Sequence, residues 1–161
     1  MSLHPGLAIF AALLWLVYSG QPVTAADTTL PVGDEPYYEW SVKNLSIAKP
    51  IGGKQGNATL GRQLSWDRGK GNCIACHALP IPEAEFPGNL GPPLIDVGQR
   101  LTEGQIRLRV VDSKQINPFT IMPGYYRDPK LLQFVKKKYR DKTLLSAQEV
   151  EDLVAYLVTL R

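Results

Sequence analysis

Beyond its first 25 residues the chain contains one histidine, His77, one methionine, Met122, and two cysteines, Cys73 and Cys76. Three of these four fall in Cys73-Ile74-Ala75-Cys76-His77. In that pattern two thiols can add to the vinyl groups of a haem while the adjoining imidazole ligates the iron. The spacing suits the chemistry, because side chains about three residues apart on a helical turn face the same way and reach one porphyrin edge. Both sulfurs and the imidazole are then occupied. If the iron takes a second protein ligand of the soft or imidazole kind, Met122 is the thioether left to provide it.

Each of these readings has a plainer rival. A bare Cys-x-x-Cys can be a redox-active dithiol or half a zinc site. Zinc would need a carboxylate recruited as a fourth ligand, and a dithiol oxidoreductase would follow a strand, whereas no strand-like alternation precedes Cys73. Met122 could be a core filler, to which its flexible side chain is suited. Its setting in a proline-flanked loop, between Pro118 and Pro123, favours ligation.

The elements that must position these residues are helical. Asn57 lies in a glycosylation sequon, Asn57-Ala58-Thr59, but reads instead as the N-cap of a helix over residues 58–70 carrying Leu60, Leu64 and Trp66. Downstream of His77 come Pro80, Pro82, Pro87, Gly88, Gly91, Pro92 and Pro93, which make a loop suited to covering one porphyrin edge. Thr102-Glu103-Gly104-Gln105 is a capping box opening a helix to about Asp112. Asp128-Pro129 reads as N-cap and first position of a helix to about Tyr139 with Leu131, Leu132, Phe134 and Val135. Ser146-Ala147-Gln148-Glu149 is a second capping box, after which Val150, Leu153, Val154, Leu157 and Leu160 repeat with helical period. The acidic Glu149, Glu151 and Asp152 at its start suit the helix dipole. Four helices and no strand predict an all-α domain, with Gly61 either the small residue at which the first helix crosses the last near Tyr156 or a point of local flexibility.

Residues 7–18 are apolar, and Val23-Thr24-Ala25 is a small-residue cleavage pattern, so residues 1–25 read as a signal peptide despite a thin basic n-region. The apolar run is shorter than the roughly 20 residues that span a bilayer. Residues 26–56 read as an extended arm, and residues 57–161 as a haem domain. Tyr37, Tyr38 and Trp40 anchor the arm either to its own domain or to another chain. The formal charge of +3 is too dilute for a nucleic-acid binder, though it could favour an acidic protein partner. Lys136, Lys137, Lys138, Arg140 and Lys142 form the densest cluster, read as a solvated face ahead of a docking patch.

In order, Cys73 to His77, Gly91-Pro92-Pro93-Leu94, Asn117-Pro118-Phe119-Thr120-Ile121-Met122-Pro123 and a terminal helix with Ala155-Tyr156-Leu157 resemble the class I cytochromes c. More narrowly, Gly88 to Pro92, Asn117 to Tyr126 and Leu145 to Leu157 are similar to the SoxX family, the smaller cytochromes of the SoxAX pairs of bacterial sulfur oxidation. The resemblance runs from about Gly61 to Arg161, and Tyr125-Tyr126 departs from the family pattern. It implies a class I helical domain around one covalently attached haem c, with Cys73 and Cys76 as attachment points and His77 and Met122 as iron ligands. It further implies that the Pro92 carbonyl receives the hydrogen bond of the haem histidine and that Arg100 pairs with a propionate, although an ordinary exposed arginine fits Arg100 as well. A six-coordinate iron of this kind passes electrons and has no vacancy for substrate.

The same resemblance implies a periplasmic heterodimer with a SoxA-type cytochrome. In that pair a thiosulfate-derived sulfur is joined oxidatively to a carrier-protein cysteine, an L-cysteine S-thiosulfotransferase reaction centred on the SoxA partner. This chain would take up the electrons and pass them to a small cytochrome. Having no thiol to spare, it is expected to hold no catalytic residue of its own. The rival functions are a stand-alone c-type carrier and, if Met122 is not bound, a haem gas sensor or enzyme. Neither nucleic acid nor stable membrane insertion after cleavage is expected.

Overall fold

The computed structural model describes Met1 and residues 35–84, 86–132, 136–137 and 140–161. Apart from Met1, the segment read as a signal peptide and the start of the arm lie outside the described residues. Among the described residues four α-helices form: α1 (Ala58–Trp66), α2 (Val97–Arg100), α3 (Glu103–Asp112) and α4 (Ala147–Thr159). Short 3-10 turns occupy Ile51–Gly53, Cys73–Ala75, Ser113–Gln115 and Pro129–Leu131. Among the described residues there is no strand, only an isolated bridge between Lys43 and Ser46.

Local chemistry accounts for the helix starts. The Asn57 side chain accepts hydrogen bonds from the amides of Thr59 (2.9 Å) and Leu60 (3.3 Å) and so satisfies two of the orphan donors opening α1. Reciprocal capping boxes open α3 at Thr102 and Gln105 and α4 at Ser146 and Glu149. Two expectations need correction. The first helix stops at Trp66, four residues short of Lys70, because Asp67 leaves helical backbone and turns the chain. Its carbonyl accepts from the amides of Lys70 and Asn72, and its carboxylate from that of Gly69. Asp128 caps Lys130 as expected, but the expected continuous helix is interrupted: Pro129–Leu131 forms a 3-10 turn and Leu132 leaves helical backbone at φ −93°, ψ 89°. Phe134, Val135, Lys138 and Tyr139 lie outside the described residues.

The core forms around α4. Val150, Leu153, Val154 and Leu157 are all buried, each contributing about 1.5–3 kcal/mol through removal from water. α1 crosses α4 at Gly61, where an added Cβ would sit 1.9 Å from the Asp152 carbonyl oxygen and 2.9 Å from the Tyr156 Cβ. The hydrogen that replaces a side chain there permits the close crossing that the sequence predicts.

The acidic residues of α4 serve tertiary contacts more than the helix dipole. Glu149, Glu151 and Asp152 are all buried. The Arg107 guanidinium, 1% exposed, donates to both Glu151 carboxylate oxygens at 2.8–3.0 Å and to the Ile47 carbonyl at 3.0 Å, and also pairs with Glu103. Glu151 additionally accepts from the Ile51 amide at 2.8 Å. The buried pair is thereby satisfied by the arm, whose Ile47 and Ile51 join the core. The arm's aromatic residues pack on their own chain. Tyr37 stacks on Tyr126 with ring centroids 5.2 Å apart, Trp40 Nε1 donates to the Tyr126 carbonyl at 3.1 Å, and the Tyr38 amide donates to the Tyr126 hydroxyl at 3.0 Å.

Candidate haem-binding cavity

The attachment motif sits on a tight turn. Asn72 adopts a left-handed backbone, φ 46°, which asparagine tolerates better than most residues, and the Cys73–Ala75 turn follows. The amides of Cys76 and His77 both donate to the Cys73 carbonyl, at 3.1 and 2.9 Å. The proline- and glycine-rich loop is laced along this turn. Gly88 donates to Ile74, Gly91 to Cys76 and Leu94 to Ala78, all at 2.8–2.9 Å. Its glycines are there for proximity as well as for breaking helices: a Cβ on Gly91 would lie 2.2 Å from the His77 Cε1, and one on Gly88 2.0 Å from the Ala75 carbonyl oxygen.

His77 Nδ1 lies 2.7 Å from the Pro92 carbonyl oxygen. A carbonyl can only accept, so Nδ1 carries the proton and Nε2 keeps its lone pair for a metal. Arg100 braces the same segment, donating from Nη2 to the Pro93 carbonyl at 2.6 Å and from Nε to Asp96 at 2.8 Å.

Cys73, Cys76, His77, Pro92, Arg100 and Met122 line a single cavity of about 430 Å³, within the roughly 300–1,000 Å³ range of small-molecule and cofactor sites. Its other walls are mostly apolar, among them Leu94, Val97, Ile106, Val110, Leu153 and Leu157. The Met122 loop is closed by short-range bonds. Its amide donates to Thr120 Oγ1 at 3.2 Å, its carbonyl accepts from Ser113 Oγ at 3.3 Å, and Lys114 Nζ donates to the Thr120 carbonyl at 2.8 Å. Thus an imidazole, a thioether and two thiols face one apolar space, as a covalently held porphyrin requires.

The rival chemistries fit less well. Burial pushes the Cys73 thiol up to about 12, whereas a redox-active dithiol needs an accessible thiolate near neutral pH. Among the described residues, no cluster of three or more His, Cys, Asp or Glu side chains is arranged to hold a metal, so zinc would find no complete ligand set.

Among the cavity residues that escaped the sequence reading, Arg109 and Tyr125 are polar. Arg109 lines the cavity between Leu108 and Val110, with Nη1 donating to the Gln105 carbonyl at 2.8 Å, and burial lowers its pKa. Its one-turn spacing from Ile106, on the cavity side of α3, was a signal that could have found it. Tyr125 is also a wall residue, its hydroxyl donating to the Gly71 carbonyl at 2.6 Å. Burial and the neighbouring thiols Cys73 and Cys76 hold that hydroxyl in its protonated form. Only the folded chain brings those two positions together.

A family profile described as cytochrome c matches residues 58–161. The chain belongs to the cytochrome c family. This cytochrome is similar to a chain in the crystal structure of SoxXA from P. pantotrophus, with 32% identity, a TM-score of 0.68, and coverage of 76% of this chain and 94% of that one. No curated protein matches it. The cytochrome thus has the all-α class I fold, resembles the SoxX type, binds haem c covalently with its iron, and acts in electron transfer. Among the described residues no helix is long and apolar enough to cross a membrane.

Proposed function

We propose that Cys73 and Cys76 would hold the haem covalently, that His77 and Met122 would ligate its iron, and that the protein is the electron-transfer subunit of a SoxAX-type sulfur-oxidation complex. The observation that carries this reading is the convergence of all four side chains on one apolar cavity. The bound group supplies one-electron exchange at iron, and thioether ligation favours the reduced state. The chain's own residues do the rest. Pro92 fixes the His77 tautomer and orientation, Arg100 buttresses the Pro92-Pro93 segment and is available to a propionate, and the apolar walls exclude water, which limits reorganisation when charge changes.

The similarity to SoxXA supports a SoxA-type cytochrome as partner and a periplasmic location reached through the N-terminal signal. Oxidative coupling of thiosulfate to a carrier-protein cysteine would then occur on that partner, since Cys73 and Cys76 are both consumed by haem. Electrons accepted here would leave towards a small soluble cytochrome. Co-purification of the exported holoprotein, followed by mass spectrometry and a haem stain, tests the assignment. Recovery with a larger haem protein is expected, whereas recovery alone with full haem content would favour a free-standing carrier. Ready carbon monoxide binding to the reduced, unmodified protein would overturn ligation by Met122 and point to a sensor.

A further inference from the structure

We propose that Tyr125 is a positioning residue for the methionine ligand, its hydroxyl tying the Met122 loop to the turn that bears the haem-attachment cysteines. The inference rests on the reading of Met122 as an axial ligand. Tyr125 follows Met122 by three residues and Gly71 precedes Cys73 by two, so their 2.6 Å hydrogen bond joins the two segments that would grip the iron, across 54 positions of sequence.

Both ends of this bond are held. The Tyr125 amide donates to the Val110 carbonyl in α3 at 3.2 Å, and its own carbonyl accepts from the Leu145 amide at 3.0 Å. Gly71 is buried, and a Cβ there would lie 2.6 Å from the Leu64 carbonyl oxygen and 3.6 Å from the Cys73 sulfur. Its peptide is therefore wedged between α1 and the attachment turn. A tether between two fixed points sets the span across the cavity. By contrast, the bonds of the Met122 loop to Ser113 and Thr120 fix its local shape and not its distance from Cys73.

The loss of one buried hydrogen bond that leaves its acceptor unsatisfied corresponds to roughly a tenfold change in an equilibrium. In Tyr125→Phe, measured on the exported full-length holoprotein, imidazole should displace the thioether from ferric iron with about tenfold higher affinity, and the reduction potential should fall. Haem content should be unchanged. Val150→Ala, a cavity in α4, serves as a control that lowers the melting temperature without changing imidazole affinity. Unchanged imidazole affinity in Tyr125→Phe, or an equal shift in both variants, overturns the proposal.

A measurement on the unmodified ferrous protein guards against a variant that fails to fold. Proton NMR should show a slowly exchanging Tyr125 hydroxyl with a nuclear Overhauser contact to Gly71, and its absence also overturns the proposal. If the ferrous spectrum lacks the shifted resonances of a bound methionine, the ligand reading fails and the role of Tyr125 falls with it. Intact methionine resonances with no effect of Tyr125→Phe defeat the positioning role alone.

Discussion

The His77 ring and the Gly91 backbone are in such close contact that any side chain at 91 would enter the imidazole, while the carbonyl of the next residue, Pro92, accepts a hydrogen bond from His77 Nδ1 at 2.7 Å. The Gly-Pro pair is thus a seat for the ring: the glycine allows approach and the proline carbonyl sets its rotation. Gly91→Ala would place a Cβ 2.2 Å from Cε1, and a ring held at Nδ1 by the Pro92 carbonyl has little freedom to retreat. Holoprotein yield should drop severalfold relative to total protein, as measured by the ratio of haem absorbance to protein mass. A variant that matures normally with unaltered spectra would show that the ring has room the packing denies it.

Met122→Leu retains the apolar bulk and removes the sulfur. The reduced variant should bind carbon monoxide readily, lose the ferric sulfur-to-iron charge-transfer band and have a lower potential, because thioether ligation favours ferrous iron. Titration with carbon monoxide beside the unmodified protein checks this.

Arg107 and Glu151 form a buried ion pair whose spare bonding capacity is taken up by Ile47 and Ile51 of the arm. Glu151→Ala leaves the buried guanidinium with only the exposed Glu103 carboxylate and the Ile47 carbonyl and should cost about 3 kcal/mol, the low end for a broken buried pair, read as a lowered denaturation midpoint. Joint replacement of both residues by apolar side chains of similar volume should recover much of that loss, which would separate the cost of an orphaned charge from the net worth of the pair.

Trp40→Phe keeps an aromatic ring but removes the Nε1 donor to the buried Tyr126 carbonyl. A loss of about 1 kcal/mol is expected, together with faster hydrogen exchange at the Tyr38 amide, which bonds the Tyr126 hydroxyl. Unaltered exchange there would mean that the Trp40 bond does not hold this part of the arm.

Burial raises Tyr126 from 10.0 to about 12. In the unfolded chain the phenol loses its proton near its ordinary pKa while the folded chain keeps it, so the unfolded state binds fewer protons in this window. Stability from this group is therefore complete below about pH 10 and declines as pH rises towards about 12. Thermal melts across that interval should show a falling midpoint, with a shallower fall in Tyr126→Phe.

The sequence by itself determined the chemistry and the local framework. Cys73, Cys76, His77 and Met122 are nearly the whole inventory of soft and imidazole groups, and the caps at Asn57, Thr102 and Ser146 act within three residues, so both could be read from adjacent letters. Gly61 was also legible, because a small residue on an apolar helix invites close crossing. The end of α1 at Asp67, the short turn after Asp128, the Arg109 wall and the Tyr125–Gly71 bond were decided by tertiary structure. Each depends on which surfaces meet once the chain closes on itself. The arm shows the difference most clearly: no motif marks residues 35–56, yet a buried guanidinium from α3 and a carboxylate from α4 need its backbone groups to complete their bonding, a requirement that exists only after those helices have packed.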